Sequence, residues 1–161
     1  MSASLISKTQ DSLIIQLEIP LSKSMLEGKS WIQDVLNEAG TLATEELLKQ
    51  FDTDGTALKL GSIKMTSKGL VNKQYQTPHG VIEVARHVYQ TSKGGATFCP
   101  LDKNARIIVS STPRFAKQIS HKFSEMASTQ VKKDLAENHN REVARSYLQN
   151  VADAVGTTAY G

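Results

Sequence analysis

The sequence contains a single cysteine, Cys99, in 161 residues. One thiol excludes an internal disulfide framework and any cysteine-rich zinc module, and it fits a reducing compartment. Proline and glycine are sparse, at four and ten residues, which excludes collagen-like and linker-type polymers. No stretch approaches the roughly 20 apolar residues needed to span a bilayer. Met1 is not followed by a basic and then apolar leader. No membrane partner is therefore expected, and the expected location is cytoplasmic. Apolar residues reach 39%, too many for a disordered chain, and a chain of about 150 residues buries roughly 70% of its unfolded surface.

Charge of one sign is lacking overall but not locally. The formal net charge is +3. Residues 1–102 carry 10 Lys/Arg against 11 Asp/Glu, whereas residues 103–161 carry 9 against 5. A basic excess confined to one helical segment suits a nucleic-acid surface, although a solvated helix face gives the same count.

Period changes divide the chain into three expected regions, 1–56, 57–102 and 103–161. In the first, Ile15, Leu17 and Ile19 alternate with Gln16 and Glu18, and Pro20 ends the run, as in a half-buried strand. Ser24–Glu27 and Ser30–Gln33 each offer a capping box. Trp31, Ile32, Val35, Leu36, Ala39, Leu42, Ala43 and Leu47 then recur every three or four residues. That spacing predicts one long amphipathic helix to about Gln50, which Gly40 weakens by about 1 kcal/mol. Asp52–Gly55 ends it as a turn; a calcium loop in that register would place Gln50 and Gly61 where acids are required.

In the second region, Leu70–Gln76 and Val81–Tyr89 flank Thr77-Pro-His-Gly80, the signal of a hairpin. Ser92–Gly95 is a second turn and Thr97–Pro100 a short strand. In the third, Thr112-Pro113 starts a helix with Phe115, Ile119, Phe123 and Met126 on one face. Ser128 or Thr129 caps a shorter helix, Asn138–Asn140 breaks it, and a third helix follows with Val143, Tyr147 and Val151 inward.

The expected fold is therefore α+β: a long N-terminal helix, a small antiparallel β-sheet or hairpin, and a C-terminal three-helix helix-turn-helix. In that motif the last helix enters the major groove. Arg141, Arg145 and Gln149, at four-residue spacing, are then the candidate base readers, with Asn140 at the helix start. Arg114, Lys117, Lys132 and Lys133 suit phosphates. An ordinary bundle with charged outer faces fits the same spacing.

Catalytic and metal chemistry have little to stand on. Asp52, Asp54, Glu83, Glu137 and Glu142 are scattered, with no pairing suited to two metal ions. His79, His87 and Cys99 fall short of a structural zinc set, and no motif calls for a cofactor. Trp31 and Tyr147 are core candidates before they are stacking platforms.

Several stretches, in one collinear order over roughly residues 25–156, resemble the N-terminal half of transposases of Kra-type bacterial insertion sequences. They are Leu36–Thr44, Lys49–Gly55, Thr77–Tyr89, Gly94–Leu101, Ala105–Lys117 and Asp134–Ser146, running on into Val151–Val155. The resemblance implies a DNA-binding region that recognises the element's terminal inverted repeats. In that family an RNase-H-like domain with a Mg²⁺-dependent acidic triad follows, and no counterpart of it lies in this sequence. The expectation is thus a truncated, non-enzymatic DNA-binding part. Expected partners are double-stranded DNA and either a second copy of the chain or a full-length transposase. Oligomerisation or inhibition, and stand-alone transcriptional regulation, are the alternatives.

Overall fold

In the computed structural model residues 2–21 and 24–156 are described, without the side chains of residues 27–30. Both candidate capping boxes depend on those side chains and lie outside the described residues, as does the segment 157–161.

The chain opens on a hairpin. Strands β1 (Ala3–Lys8) and β2 (Leu13–Leu17) pair antiparallel, with Ala3 opposite Leu17 and Leu5 opposite Ile15. Thr9 closes the turn: its hydroxyl oxygen accepts from the Asp11 and Ser12 amides. The hairpin sits on the long helix α1 (Met25–Lys49), where Glu38 accepts the Ser2 and Ala3 amides at 2.9 Å. β1 escapes periodicity because its serines and lysine interrupt the alternation.

The middle of the chain is a four-stranded antiparallel sheet in the order β3 (Leu58–Leu60), β4 (Ile63–Gln76), β5 (Val81–Thr91), β6 (Gly94–Phe98). The β4–β5 turn is held by Thr77, whose hydroxyl accepts from the His79 and Gly80 amides and donates to the Gly80 carbonyl. This turn docks on α1 at Gly40. A Cβ at that position would lie 2.2 Å from the His79 ring, so the residue that weakens the helix permits its closest contact.

Helix α2 (Pro100–Asn104) follows β6 and seats Leu101 beneath the sheet with Tyr75, Ile82, Val84 and Leu48. Three further helices, α3 (Pro113–Phe123), α4 (Ser128–His139) and α5 (Arg145–Gly156), enclose a second core of Phe115, Ile119, Val131, Leu135, Leu148 and Val151. Neither expected side-chain cap is present. Thr112 and Ala127 occupy the N-cap positions of α3 and α4 without a capping side-chain bond, and the Thr112 hydroxyl is buried without a partner.

These features overturn the expected arrangement of one long helix, one small sheet and a terminal helix-turn-helix. There are five helices and two antiparallel sheets among the described residues, and strands fill the middle of the chain. The break before the last helix is also longer than three residues. Asn140 turns left-handed at φ 50°, and residues 141–144 are not helical. Arg141 and Val143 are drawn inward there, at 6% and 5% exposure. The last helix therefore begins at Arg145.

Candidate nucleic-acid interface

Arg141 is the residue that moves furthest from its expected role. Its Nε donates to the Thr77 carbonyl at 3.1 Å, its Nη2 donates to Gln76, and its guanidinium lies 5.4 Å from the Phe115 ring centroid. Burial pulls it below its ordinary pKa. It ties the bundle to the β4–β5 turn and is 6% exposed, so the structure places it inside the protein and not on an outer helix face. Asn140, the left-handed cap of α4, donates to Asp34 of α1 at 2.9 Å. Gln149 donates to Asp153 one turn on, at 3.0 Å.

The remaining cations stay outside. Arg114 and Lys117 are exposed on α3, three residues apart, and His121 extends the same face by one more turn. With Ile108, Pro113, Ser120 and Val155 they line a groove of about 560 Å³, and no acidic side chain among the described residues lines it. None of the three has an ion-pair partner among the described residues. His121 carries no permanent charge, so a count of Lys and Arg does not reach it. Thr112 and Pro113 open α3, which buries Phe115 and Ile119 and leaves Arg114 and Lys117 exposed.

Lys132, Lys133 and Arg145 are exposed too, but none of them lines this groove. Lys132 is 4.0 Å from Glu142. Lys133 points away from the Val131–Leu135 face of α4, and Arg145 opens α5. Lys122 is held by Asp134. The eight residues expected at the interface thus separate into one pair in the groove, Arg114 with Lys117; three exposed cations outside it; and three residues hydrogen-bonded within the protein.

Two carboxylates are engaged within the fold. Asp52 Oδ2 accepts from both the His87 amide and its Nδ1 at 3.0 Å. Asp102 accepts from Tyr75 and pairs with Lys73 at 3.2 Å. Among the described residues no group of three or more His, Cys, Asp and Glu side chains is placed to hold a metal ion. Burial raises the Cys99 thiol, making it a poorer nucleophile. No helix among the described residues is long and apolar enough to cross a membrane. No protein-family model and no curated protein matches the sequence.

Proposed function

We propose that the chain binds double-stranded DNA without cutting it, as the end-recognition region of a transposase of the Kra-type insertion sequences it resembles. The observation that supports this most is the groove of α3, lined by Arg114, Lys117 and His121, none of which has an ion-pair partner among the described residues. Such donors meet phosphates and fix orientation, and they release counterions as they do so. Arg145 is the exposed residue left for reading a base edge, since Arg binds guanine bidentately.

Fluorescence anisotropy with the element's terminal repeat and with a random duplex tests the reading. Binding is expected to fall steeply with salt. Arg114→Ala and Lys117→Ala are each expected to weaken both duplexes alike and to flatten the salt slope by about one unit. Arg145→Ala is expected to narrow the gap between the two duplexes. Equal affinity for both duplexes would sink end recognition, and no binding at low salt would sink DNA binding altogether.

A second reading, in which α1 pairs with another copy of the chain or with a full-length transposase, is favoured by one observation. Leu26 on α1 is 83% exposed, although Leu42 is half-buried.

A further inference from the structure

The four-stranded sheet is the most basic part of the chain, and a charge count by halves conceals it. Residues 57–98 carry six Lys and Arg against one acid, Glu83, whereas residues 1–56 carry four against nine. Two of the six cations are engaged within the fold. Lys73 pairs with Asp102 at 3.2 Å, and the buried Arg86 donates to the Tyr75 hydroxyl and the Val71 carbonyl at 2.9 Å. The other four, Lys59, Lys64, Lys68 and Lys93, are exposed and have no ion-pair partner among the described residues. The topology gathers them. Antiparallel pairing puts the β3–β4 turn, Gly61-Ser62, and the β5–β6 turn, Ser92-Lys93, at one end of the sheet, away from the Thr77–Gly80 turn that docks on α1. Lys59 lies directly opposite Lys64, and Lys68 lies at the bulge where the β4–β5 register shifts between Ser67 and Leu70. Glu83 is opposite Gln74 in the other half of the sheet, seven residues along β5 from Gln90, the partner of Thr66. At 3.3 Å per residue that is about 23 Å.

This arrangement works against the sheet. Like charges directly opposite each other on a ladder are destabilising, and no ion pair with a carboxylate offsets Lys59 and Lys64 among the described residues. Lysines on an edge strand discourage strand addition, which accounts for Lys59. Lys64, which β3 covers, and Lys93, in a turn, guard no edge. A polyanion removes the repulsion, and each lysine that meets a phosphate releases a condensed counterion. The neighbours suit such a contact. Ser62, Thr66 and Ser92 are exposed beside the lysines, and hydroxyls of this kind donate to phosphate oxygens. The backbone is bare as well. Gly61 and Gly69 have φ of 66° and 109°, and nothing lies within 4 Å of where a side chain would begin, so a rod-like ligand can approach the main chain closely. An anionic bilayer offers similar charge, but surfaces that bind one carry exposed aromatic anchors. The aromatic residues of the sheet are Tyr75, Tyr89 and Phe98, and none is exposed.

We infer that this end of the sheet is a second phosphate-contact surface for double-stranded DNA, in which Lys59, Lys64, Lys68 and Lys93 neutralise the backbone without reading its sequence. The inference rests on the DNA-binding reading above and adds to it a surface outside the α3 groove. It is tested by anisotropy on the chain and on a variant carrying Lys59→Gln, Lys64→Gln, Lys68→Gln and Lys93→Gln together. Salt above about 0.15 M keeps the screening length near 8 Å or below, so that remote charges count little. The salt slope is expected to flatten by about 3–4 units in the variant, equally for the terminal repeat and for a random duplex. In the parent chain, duplex is expected to protect the four lysines from acetylation while Lys8 of the first hairpin stays reactive. Lys64→Glu alone is expected to weaken DNA binding and to raise the urea midpoint, since the new carboxylate faces Lys59. An unchanged slope in the fourfold variant, with Arg114→Ala still flattening it, would overturn the sheet surface and leave the α3 groove standing. No DNA binding by the parent chain at low salt would overturn both. Phosphatidylserine vesicles that bind the parent but not the variant, with DNA binding equal in the two, would assign the patch to a membrane instead.

Discussion

The hairpin–helix unit at the start of the chain and the α3–α5 bundle at its end treat their apolar residues in opposite ways. From Leu5 to Phe51, thirteen large hydrophobic side chains are exposed, whereas from Thr112 to Gly156 none is exposed among the described residues. The bundle completes its own core and turns its charges outward. The hairpin–helix unit spreads apolar surface over more directions than one sheet and one turn can cover. A face left like that marks association, while a satisfied core rimmed by unpaired cations marks a charged ligand. On this reading the two proposed activities, self-pairing and recognition of DNA ends, belong to opposite ends of the chain.

The sharpest way to break the comparison is to remove comparable apolar groups from each unit. Phe115 is fully buried at the centre of the bundle. Phe115→Ala is expected to cost about 3–5 kcal/mol of stability in urea. Leu36→Ala, at an exposed position of α1, is expected to change the stability of the isolated monomer by no more than about 0.5 kcal/mol. If Leu36→Ala costs as much as Phe115→Ala at high dilution, Leu36 is part of a monomer core and the contrast fails.

Next in size is the joint between the bundle and the sheet. Arg141→Ala would leave the Thr77 carbonyl and the Gln76 amide without their buried donor and remove the guanidinium from the Phe115 ring. Hydrogen bonds to charged groups contribute about 1.5–3 kcal/mol, so a loss of about 2–3 kcal/mol is expected. DNA preference, measured where the variant is still folded, is expected to stay unchanged. A changed preference at full stability would return Arg141 to the interface.

How much of this could be read from the sequence follows from the same contrast. In the bundle, spacing placed Phe115 and Ile119 inward, and both are buried, because a narrow apolar stripe admits one core direction. Along α1, apolar residues occupy more than half of the circumference. Period 3.6 then states that a core exists but not which arc it takes, so Ile32, Leu36 and Leu47 are read inward and lie outward. Arg141 is hidden for a different reason. Its partners are a carbonyl and an amide 64 and 65 residues away, and no local pattern encodes a contact with backbone at that distance. The charge count concentrates the basic excess in residues 103–161 but does not separate Lys122, held by Asp134, from Lys117, which has no ion-pair partner among the described residues.

The smallest expected effect is a pH response where the bundle meets α1. His139 ends α4, its carbonyl accepts the Asn37 side-chain amide at 3.1 Å, and its ring is half-buried. A helix C-terminus favours the charged imidazolium. Burial first, and then the Lys122 ammonium, nevertheless hold this histidine below its ordinary value, with Asp134 opposing. The folded chain thus takes up this proton at lower pH than the unfolded chain, whose histidines titrate at about 6.5. Between the two values the unfolded state holds more protons, so stability is level above about pH 6.5 and falls as acid carries the protein down through the folded value. His79, lowered mainly by burial and then by Arg141, acts in the same direction. Urea midpoints from roughly pH 8 to pH 5 are expected to decline on the acid side, less than for either core substitution. His139→Gln is expected to flatten part of that decline. An unchanged slope would move the proton away from this joint, and a dimer constant that followed the same curve would show that the two units are not independent.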